Sequence, residues 1–370
     1  MAKLSARGRA PRRDGTVRRR RYAGAALLGF LFSAAFGCSP LYVMRAAYEE
    51  GKILWRREPI VSFLDRPNLE SDTREKLRMV LAVREYARDV LKLNVGGSYA
   101  SYSYVDRPDL SYILTAAPKT ALEPYTWWFL IVGRVPYKGY FSRDEAEGAA
   151  ERLRARGYDT NIRTTAAFST LGWFDDPLLA HLLKYDKVVL ADVVLHELFH
   201  NTLYVKGAGN FNESVATFVG GRGAIVFFRD RLGPKSAEYQ RALQAWRDEL
   251  EFSAYLEEVA ATLETLYAQD IAYEDKLRLR EEVFARAKNA WRARTEDRPQ
   301  NRFRRFAEQT LNNAVLIQYL LYFRNLELFE ALYHKMDGDL VETIAAIRKA
   351  VSNGREPFAA VRALLEQKTG

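Results

Sequence analysis

The sequence from Val188 to His200 reads Val-Val-Leu-Ala-Asp-Val-Val-Leu-His-Glu-Leu-Phe-His, an apolar run that ends with two of the four histidines of the chain. Its length suits a buried helix, although so many valines are also typical of a strand. On a helix, His196 and His200 would lie one turn apart on the same face and could bind one metal ion. We therefore predict a helix, on which Glu197 can reach a water molecule at the metal and take its proton.

A second segment, beyond a glycine-containing turn, supplies a third candidate ligand. We expect Gly207 and Gly209 to end the first helix, and Glu213 opens another apolar helical pattern. A tight turn would bring this second helix back antiparallel to the first, with Glu213 near the histidines. The prediction is one zinc ion per chain, held by two histidines and one glutamate with a fourth position left for water.

These residues carry a resemblance to known peptidases. His196-Glu-x-x-His200 followed by Asn212-Glu-Ser-Val-Ala216 is similar to the gluzincin metallopeptidases, in which a downstream Asn-Glu-x-x-Ala segment supplies the third ligand. The longer string His-Glu-Leu-Phe-His-Asn-Thr-Leu-Tyr-Val-Lys-Gly, with Phe-Asn-Glu-Ser-Val-Ala-Thr-Phe-Val-Gly after it, resembles the bacterial putative aminopeptidase family, a lipoprotein-like group. This resemblance covers most of the chain, from about Tyr42 to residues 311–314 and beyond.

The resemblance implies a zinc metallopeptidase, and two departures from better-known gluzincins stand out. Only twelve residues separate His200 from Glu213, a shorter connection than thermolysin-like enzymes use. Thr217 stands where thermolysin-like enzymes place an aspartate that supports a ligand histidine. The sequence therefore does not assign the group that supports the histidines.

The histidine motif also has a plainer explanation. A His-Glu-x-x-His string occurs by chance in many helices, and the two histidines would then be ordinary core side chains. The apolar flanks, the glycine turn and the second helix favour metal binding. A structural zinc site normally uses four protein ligands, so the presence of Glu197 argues for an open, hydrolytic site.

The positive charge of the chain is concentrated at its beginning. Residues 1–21 contain nine lysines and arginines against one acidic residue, Asp14. Residues 22–37 are uncharged, so +8 of the net charge of +9 belongs to this leader and +1 to the chain from Cys38 onward. No nucleic-acid partner is therefore predicted.

The leader, residues 1–37, has the layout of an export signal, with a basic segment before an apolar run. That run, 22–37, is shorter than the roughly 20 residues that span a bilayer. Cys38, the only cysteine, resembles the lipidated cysteine of bacterial lipoproteins, although a free cysteine also packs as a small buried hydrophobe. We expect a membrane-anchored protein of the bacterial periplasm, lipidated at Cys38. Ser39 fits sorting to the outer membrane if the host has one.

The remaining pattern predicts a predominantly helical α+β fold, zincin-like, with a small mixed sheet, an active-site helix and a helical C-terminal region. We divide it into an N-terminal helical segment (38–95), a catalytic core (96–232) and the C-terminal region (233–370). The core begins with strand-like alternation, including 125–132 and 137–141, and Ser142 is expected to cap a helix over about 143–156. Long amphipathic helices are predicted at about 235–268, 274–295 and 302–333.

Two further functional roles are predicted within these segments. In zincins, an edge strand beside the metal helix pairs with the substrate backbone. Residues 166–174 are our candidate for that edge, with Ser169, Leu171 and Gly172 as substrate-binding residues; an ordinary paired strand is the alternative.

Hydrolysis also needs a donor to the negative oxygen that develops on the scissile carbonyl. Tyr322 is our candidate for this catalytic role, because its segment resembles the C-terminal block of the family. Tyr204 is a second candidate, one turn beyond His200. A surface or capping role is expected for His181 and His334.

The expected function is a zinc-dependent peptidase, an aminopeptidase in the resemblance, with Glu197 as general base and a peptide as substrate. Two alternatives remain open: a noncatalytic zinc-binding lipoprotein that binds an envelope partner, and a metallohydrolase of other acyl substrates. No residue visibly binds a substrate α-amino group, and the pattern does not indicate an oligomeric state.

Overall fold

The computed structural model describes Tyr48 and residues 51–104, 111–129, 133–165 and 175–366. The predicted leader, Cys38 and the predicted substrate-binding residues Ser169, Leu171 and Gly172 lie outside the described residues. The chain divides into two compact units, Met1–Glu49 and Glu50–Gly370, and the elements below belong to the second.

Helices dominate the described residues, as predicted for this α+β class. They are α1 (Ile60–Leu64), α2 (Ser71–Asp89), α3 (Arg143–Arg154), α4 (Lys187–His200), α5 (Gly209–Leu232), α6 (Ala237–Tyr267), α7 (Tyr273–Thr295), α8 (Asn313–Phe323), α9 (Leu326–Lys335), α10 (Leu340–Val351) and α11 (Pro357–Glu366). Two 3₁₀ turns, Ala180–Lys184 and Arg304–Glu308, lie between them. None of the described helices combines the length and the apolarity that crossing a bilayer requires.

The strands are short and form three small sheets. They are β1 (Glu58–Pro59), β2 (Ser101–Ser103), β3 (Ser111–Pro118), β4 (Trp127–Phe129), β5 (Gly133–Val135), β6 (Lys138–Tyr140), β7 (Tyr158–Thr165) and β8 (Leu178–Leu179). One mixed sheet has the order β1-β2-β8, with β2 antiparallel to β1 and parallel to β8. A second, antiparallel sheet has the order β6-β3-β7, and β4 pairs with β5.

Two of the predicted helical stretches are interrupted. The stretch 302–333 is not one helix, because α8 begins only after Asn312, whose side chain accepts from the Val315 amide (2.9 Å), and ends before Asn325. Asn325 has a left-handed backbone (φ 55°), which asparagine tolerates better than most residues. In the predicted N-terminal helical segment (38–95), β1 replaces helix at Pro59, which has no amide hydrogen to donate.

Two local signals also act differently from the prediction. The metal-motif helix ends at His200, before Gly207, and residues 201–208 form the connection. Ser142 precedes α3 as expected, but its side chain makes no capping hydrogen bond.

The main core is built around α4 and α5. Both helices are apolar on most of their surface, which is the pattern of a helix buried on several sides. His200 at the end of α4 lies near Glu213 at the start of α5. Asp192, two turns earlier on α4, lies near Gly220, two turns later on α5. The two helices therefore run antiparallel, as predicted.

A second core joins α6, α7 and α8 through large aromatic side chains. Trp291 and Phe252 are fully buried in it, and Phe252 stacks on Phe303 with ring centroids 4.1 Å apart. This core fixes α8 from one side. The opposite side of α8 packs against β3 and β7 and leads to the candidate site.

Candidate metal centre

Helix α4 begins at a well-formed cap. The Asp186 side chain accepts hydrogen bonds from the amides of Val188 (3.0 Å) and Val189 (3.1 Å), and it pairs with Arg241 at 2.6 Å. Such a cap satisfies amides that the first helical turn leaves free. It fixes the helix start, and the apolar run then continues to His200.

The connection to α5 is held by the asparagine of the Asn-Glu-x-x-Ala segment. The Asn212 side chain accepts from the Val205 amide and donates to the Val205 carbonyl, both at 2.8 Å. Gly207 supplies the left-handed backbone (φ 80°) that closes the turn. Asn212 thereby folds the turn that places its neighbour, Glu213, against α4.

The structure brings His196, His200 and Glu213 together. The Glu213 Oε2 atom lies 3.2 Å from His196 Nε2 and 3.7 Å from His200 Nε2. One ligand atom from each of the three residues lies within 4.8 Å of the others. The described residues include no other group of three metal-ligating side chains this close together.

The charges around this cluster favour a cation. Burial lowers the pKa of His196, but Glu213, Glu197 and Asp192 outweigh it and raise that pKa to about 9. Burial raises the pKa of Glu213, but His200 and His196 lower it far more, so this carboxylate stays ionised.

The spacing also matches a tetrahedral ion. Bonds of about 2.0–2.1 Å at tetrahedral angles place neighbouring ligand atoms about 3.3 Å apart, close to both measured separations. Two imidazoles and one carboxylate are the donor set of catalytic zinc sites. The residues present therefore fit a zinc ion. The buried His200 Nδ1 has no hydrogen-bond partner among the described residues.

Glu197 lies on the same helix between the two histidines and is half-buried. Burial raises its pKa, while His196 and His200 lower it by less, which is the direction expected for a proton acceptor that later returns the proton. Tyr99 lies beside it, buried and with a left-handed backbone (φ 58°). The Tyr99 amide donates to the Asp176 carbonyl at 2.7 Å, which anchors this conformation.

Tyr322 on α8 lies beside His196, one of the candidate ligands. Its ring centroid lies 6.1 Å from that of His196. Its hydroxyl accepts a hydrogen bond from Arg163 Nη2 at 2.8 Å, and burial raises its pKa well above the usual range. The hydroxyl is therefore protonated, and its hydrogen points away from Arg163.

Arg163 on β7 and Tyr137 beside β6 are site residues that the sequence analysis missed. Burial raises the pKa of Tyr137, and Glu213, Tyr322 and Tyr204 raise it further. The alternation of side chains along β7 could have indicated Arg163, because Asn161 and Arg163 point to the same face of the strand. Asn161 contacts Gln318 and Arg163 contacts Tyr322, and these two partners lie one turn apart on α8.

Asp192 on α4 belongs to a partly buried ion cluster with Arg302 and Glu249. Arg302 bonds to Glu249, and its Nη1 lies 3.4 Å from Asp192 Oδ2. Asp192 precedes His196 by one helical turn and helps raise the pKa of that histidine. Asp192 thus supports a candidate ligand histidine electrostatically. The sequence analysis had found no acidic residue for this role, because Thr217 stands at the position where thermolysin-like enzymes have an aspartate.

The other predicted candidates lie in different surroundings. Tyr204 follows the end of α4 and so is not on the metal-ligand helix, but Glu213 still adds to the rise in its pKa. His181 is buried in a 3₁₀ turn, so the expected surface position is wrong. His334 is exposed and its Nε2 lies 3.0 Å from Glu330 Oε1.

A cavity of about 750 Å³ opens on another face of α8 and beside the start of α5. Its lining mixes arginines with glutamates and so favours neither charge in a ligand: Arg134, Arg324, Arg362, Glu257, Glu264 and Glu356. The three candidate metal ligands lie outside this cavity.

Comparison with known proteins bears out the resemblance to the putative aminopeptidase family. A family model described as a putative aminopeptidase matches residues 41–357. No curated protein and no solved structure matches the chain. The match covers the metal motif, the Asn-Glu-x-x-Ala segment and the α8 segment that carries Tyr322. Since it spans most of the sequence, the chain belongs to the putative aminopeptidase family.

Proposed function

We propose that the chain is a zinc-dependent peptidase whose metal ligands are His196, His200 and Glu213. The observation that carries this proposal is the approach of Glu213 to both histidines, at 3.2 and 3.7 Å, from a separate helix. A chance motif would not bring a third donor to that position. The family to which the chain belongs points to peptide substrates.

Zinc, when bound, supplies a Lewis acid that activates water and polarises the scissile carbonyl. The residues of the chain perform the proton transfers. Glu197 lies one position after the first ligand, and it takes a proton from the attacking water and returns it to the departing amine. Its raised pKa suits both steps.

Tyr322 donates to the negative oxygen that develops on the carbonyl. Because its hydroxyl already accepts from Arg163, its own hydrogen is available to the substrate. A donor already in place at this oxygen stabilises the transition state without reorganising during the reaction.

The aminopeptidase mode and the cellular location complete the proposal. The family description supports action at the amino end of a peptide. The basic leader, the apolar run and Cys38 support a lipid-anchored enzyme of the bacterial periplasm. This anchor is its expected attachment to the membrane.

The test combines a peptide-library digest with one conservative variant. Zinc-loaded protein from Ser39 onward should cleave peptides, and Glu197→Gln should retain zinc but lose activity by about 10²–10⁴-fold. The reason is that glutamine keeps the size of the side chain but cannot accept the proton.

Three outcomes contradict parts of the proposal. Unchanged hydrolysis by the Glu197→Gln variant would remove Glu197 as the base. Equal cleavage of free and N-acetylated peptides would rule out an obligate aminopeptidase. Stoichiometric zinc with no cleavage by the unmodified protein would support the noncatalytic lipoprotein instead.

A further inference from the structure

Arg163 is a cation placed beside the candidate site with an unused hydrogen-bonding edge. Its Nη2 donates to Tyr322, and its Cζ lies 5.3 Å from the centroid of the Tyr322 ring. The Arg163 Nε atom is out of contact with solvent and has no hydrogen-bond partner among the described residues. A buried donor without a partner costs free energy, so its presence here calls for an explanation.

No acidic side chain among the described residues forms an ion pair with Arg163. Burial lowers the pKa of this guanidinium, but the contacts with Tyr322 and Glu213 raise it by more, so the group stays charged. Glu213 is nevertheless turned towards the two histidines, with its Oε2 atom 3.2 Å from His196. Its negative charge therefore belongs to the candidate metal ligands, and the part of the chain that the structure describes leaves Arg163 without a counter-ion of its own.

The geometry points to Arg163 as the binding site for a carboxylate of the substrate. This inference rests on the proposed function, because it concerns a peptide held at the same metal centre. A guanidinium presents parallel N–H donors that match the two oxygens of a carboxylate, and such pairs are stronger than neutral hydrogen bonds. A carboxylate beside this guanidinium would supply the missing negative charge.

The developing oxygen of the scissile carbonyl is a less suitable partner for Arg163. Tyr322 already presents a donor beside His196, and both Glu197 and Glu213 act on its pKa. Of these two acids, Glu213 is the one that also raises the pKa of Arg163. Arg163 thus lies on the Glu213 side, within hydrogen-bonding distance of the Tyr322 hydroxyl, where a group attached close to the scissile bond would lie.

Such a carboxylate has two sources, the free C-terminus of a short peptide and an acidic side chain next to the scissile bond. Both share the chemistry that Arg163 recognises. A dipeptide or tripeptide cleaved at its first bond would carry its C-terminal carboxylate close to the metal. The inference is therefore compatible with an aminopeptidase that acts on short peptides.

The experiment measures binding separately from catalysis. Calorimetry on the zinc-loaded Glu197→Gln protein would compare Ala-Ala-Ala with its C-terminal amide, and Ala-Glu-Ala amide with Ala-Gln-Ala amide. We expect the carboxylate member of one pair to bind about 10- to 150-fold more tightly, the range of a charge-assisted hydrogen bond. The pair that shows the preference identifies the source.

Variants assign the preference to Arg163. Arg163→Met should abolish it, and Arg163→Lys should retain part of it, because lysine keeps the charge but loses the paired donors. Arg355→Met, which removes an exposed arginine on a loop, is the matched control and should change nothing.

Equal binding within both pairs, or no binding of any of the four peptides, overturns the inference. A preference that persists in Arg163→Met would also overturn it. The peptidase proposal is judged separately, by hydrolysis of the library with unmodified protein. Cleavage without a carboxylate preference would leave that proposal standing while removing the role of Arg163.

Discussion

Tyr322 is the residue whose chemical role the geometry restricts most. The Arg163 guanidinium can only donate, so the Tyr322 hydroxyl must accept from it and direct its own hydrogen elsewhere. The ring lies beside a candidate ligand histidine.

The spacing of the motif in sequence predicted His196, Glu197 and His200, because a helix brings such neighbours together without any tertiary information.

The Tyr322→Phe variant tests the donor role. We expect kcat to fall by about 10²–10³-fold, the loss that follows removal of one donor to a developing oxyanion, while zinc content stays unchanged. Steady-state kinetics with metal analysis measures both. Tyr319→Phe, which removes a hydroxyl on the same helix that contacts Gln309, is the control and should keep kcat. An unaffected kcat in Tyr322→Phe would contradict the assignment.

At the scale of elements, the close approach of α4 and α5 forms the site. A Cβ atom on Gly220 would lie 2.8 Å from the Asp192 backbone oxygen and 3.2 Å from His196 Cβ. A backbone atom cannot rotate away, so any side chain there must push the two helices apart. Gly220 is therefore part of the geometry that holds His196 near Glu213.

The Gly220→Ala variant should lower the free energy of unfolding by about 1–3 kcal/mol, the usual cost of overpacking, and should weaken zinc binding. Chemical denaturation and metal titration measure the two effects. Gly148→Ala on α3 is the control, because its Cβ would meet only the end of a flexible arginine at 3.6 Å, and alanine favours a helix. If the two variants change the free energy of unfolding and the zinc affinity equally, the contact between α4 and α5 at Gly220 does not position the metal ligands.

The elements also show where sequence patterns stop being informative. Helices α6 and α7 follow the predicted stretches 235–268 and 274–295 closely, because long amphipathic patterns persist over many turns. The prediction of one helix over 302–333 was wrong. Asn312 starts a new helix by capping it with its side chain, and Asn325 ends the helical path with a left-handed backbone. Arg163 was missed because its partner, Tyr322, is 159 residues away and only tertiary packing joins them.

At the scale of the whole molecule, one buried ion pair connects the antiparallel sheet to the helical C-terminal region. Arg280 on α7 donates to both carboxylate oxygens of Asp159 on β7, at 2.7 and 3.2 Å. Asp159 also accepts from the Asn313 amide (3.1 Å), at the start of the helix that carries Tyr322. The pair thus fixes β7 and α8, and with them Arg163 and Tyr322.

The Asp159→Ala variant should lower the free energy of unfolding by about 3–5 kcal/mol, because it leaves the buried Arg280 guanidinium with only the exposed Glu281 as a counter-ion. Urea denaturation followed by circular dichroism measures this loss. Glu147→Ala, which breaks the exposed pair with Arg154, should cost at most about 1 kcal/mol. Equal losses in the two variants would show that the buried pair does not hold the sheet to the helices.

The central claim is that two helices form a single zinc site, and metal content measured with and without Glu213 tests it most directly. Mass spectrometry of metals in purified protein from Ser39 onward should find about one zinc per chain. Glu213→Ala should lower zinc affinity by about tenfold or more, which corresponds to about 1.4 kcal/mol or more of binding free energy. Protein that binds no zinc, or Glu213→Ala protein that binds it with unchanged affinity, would contradict the account.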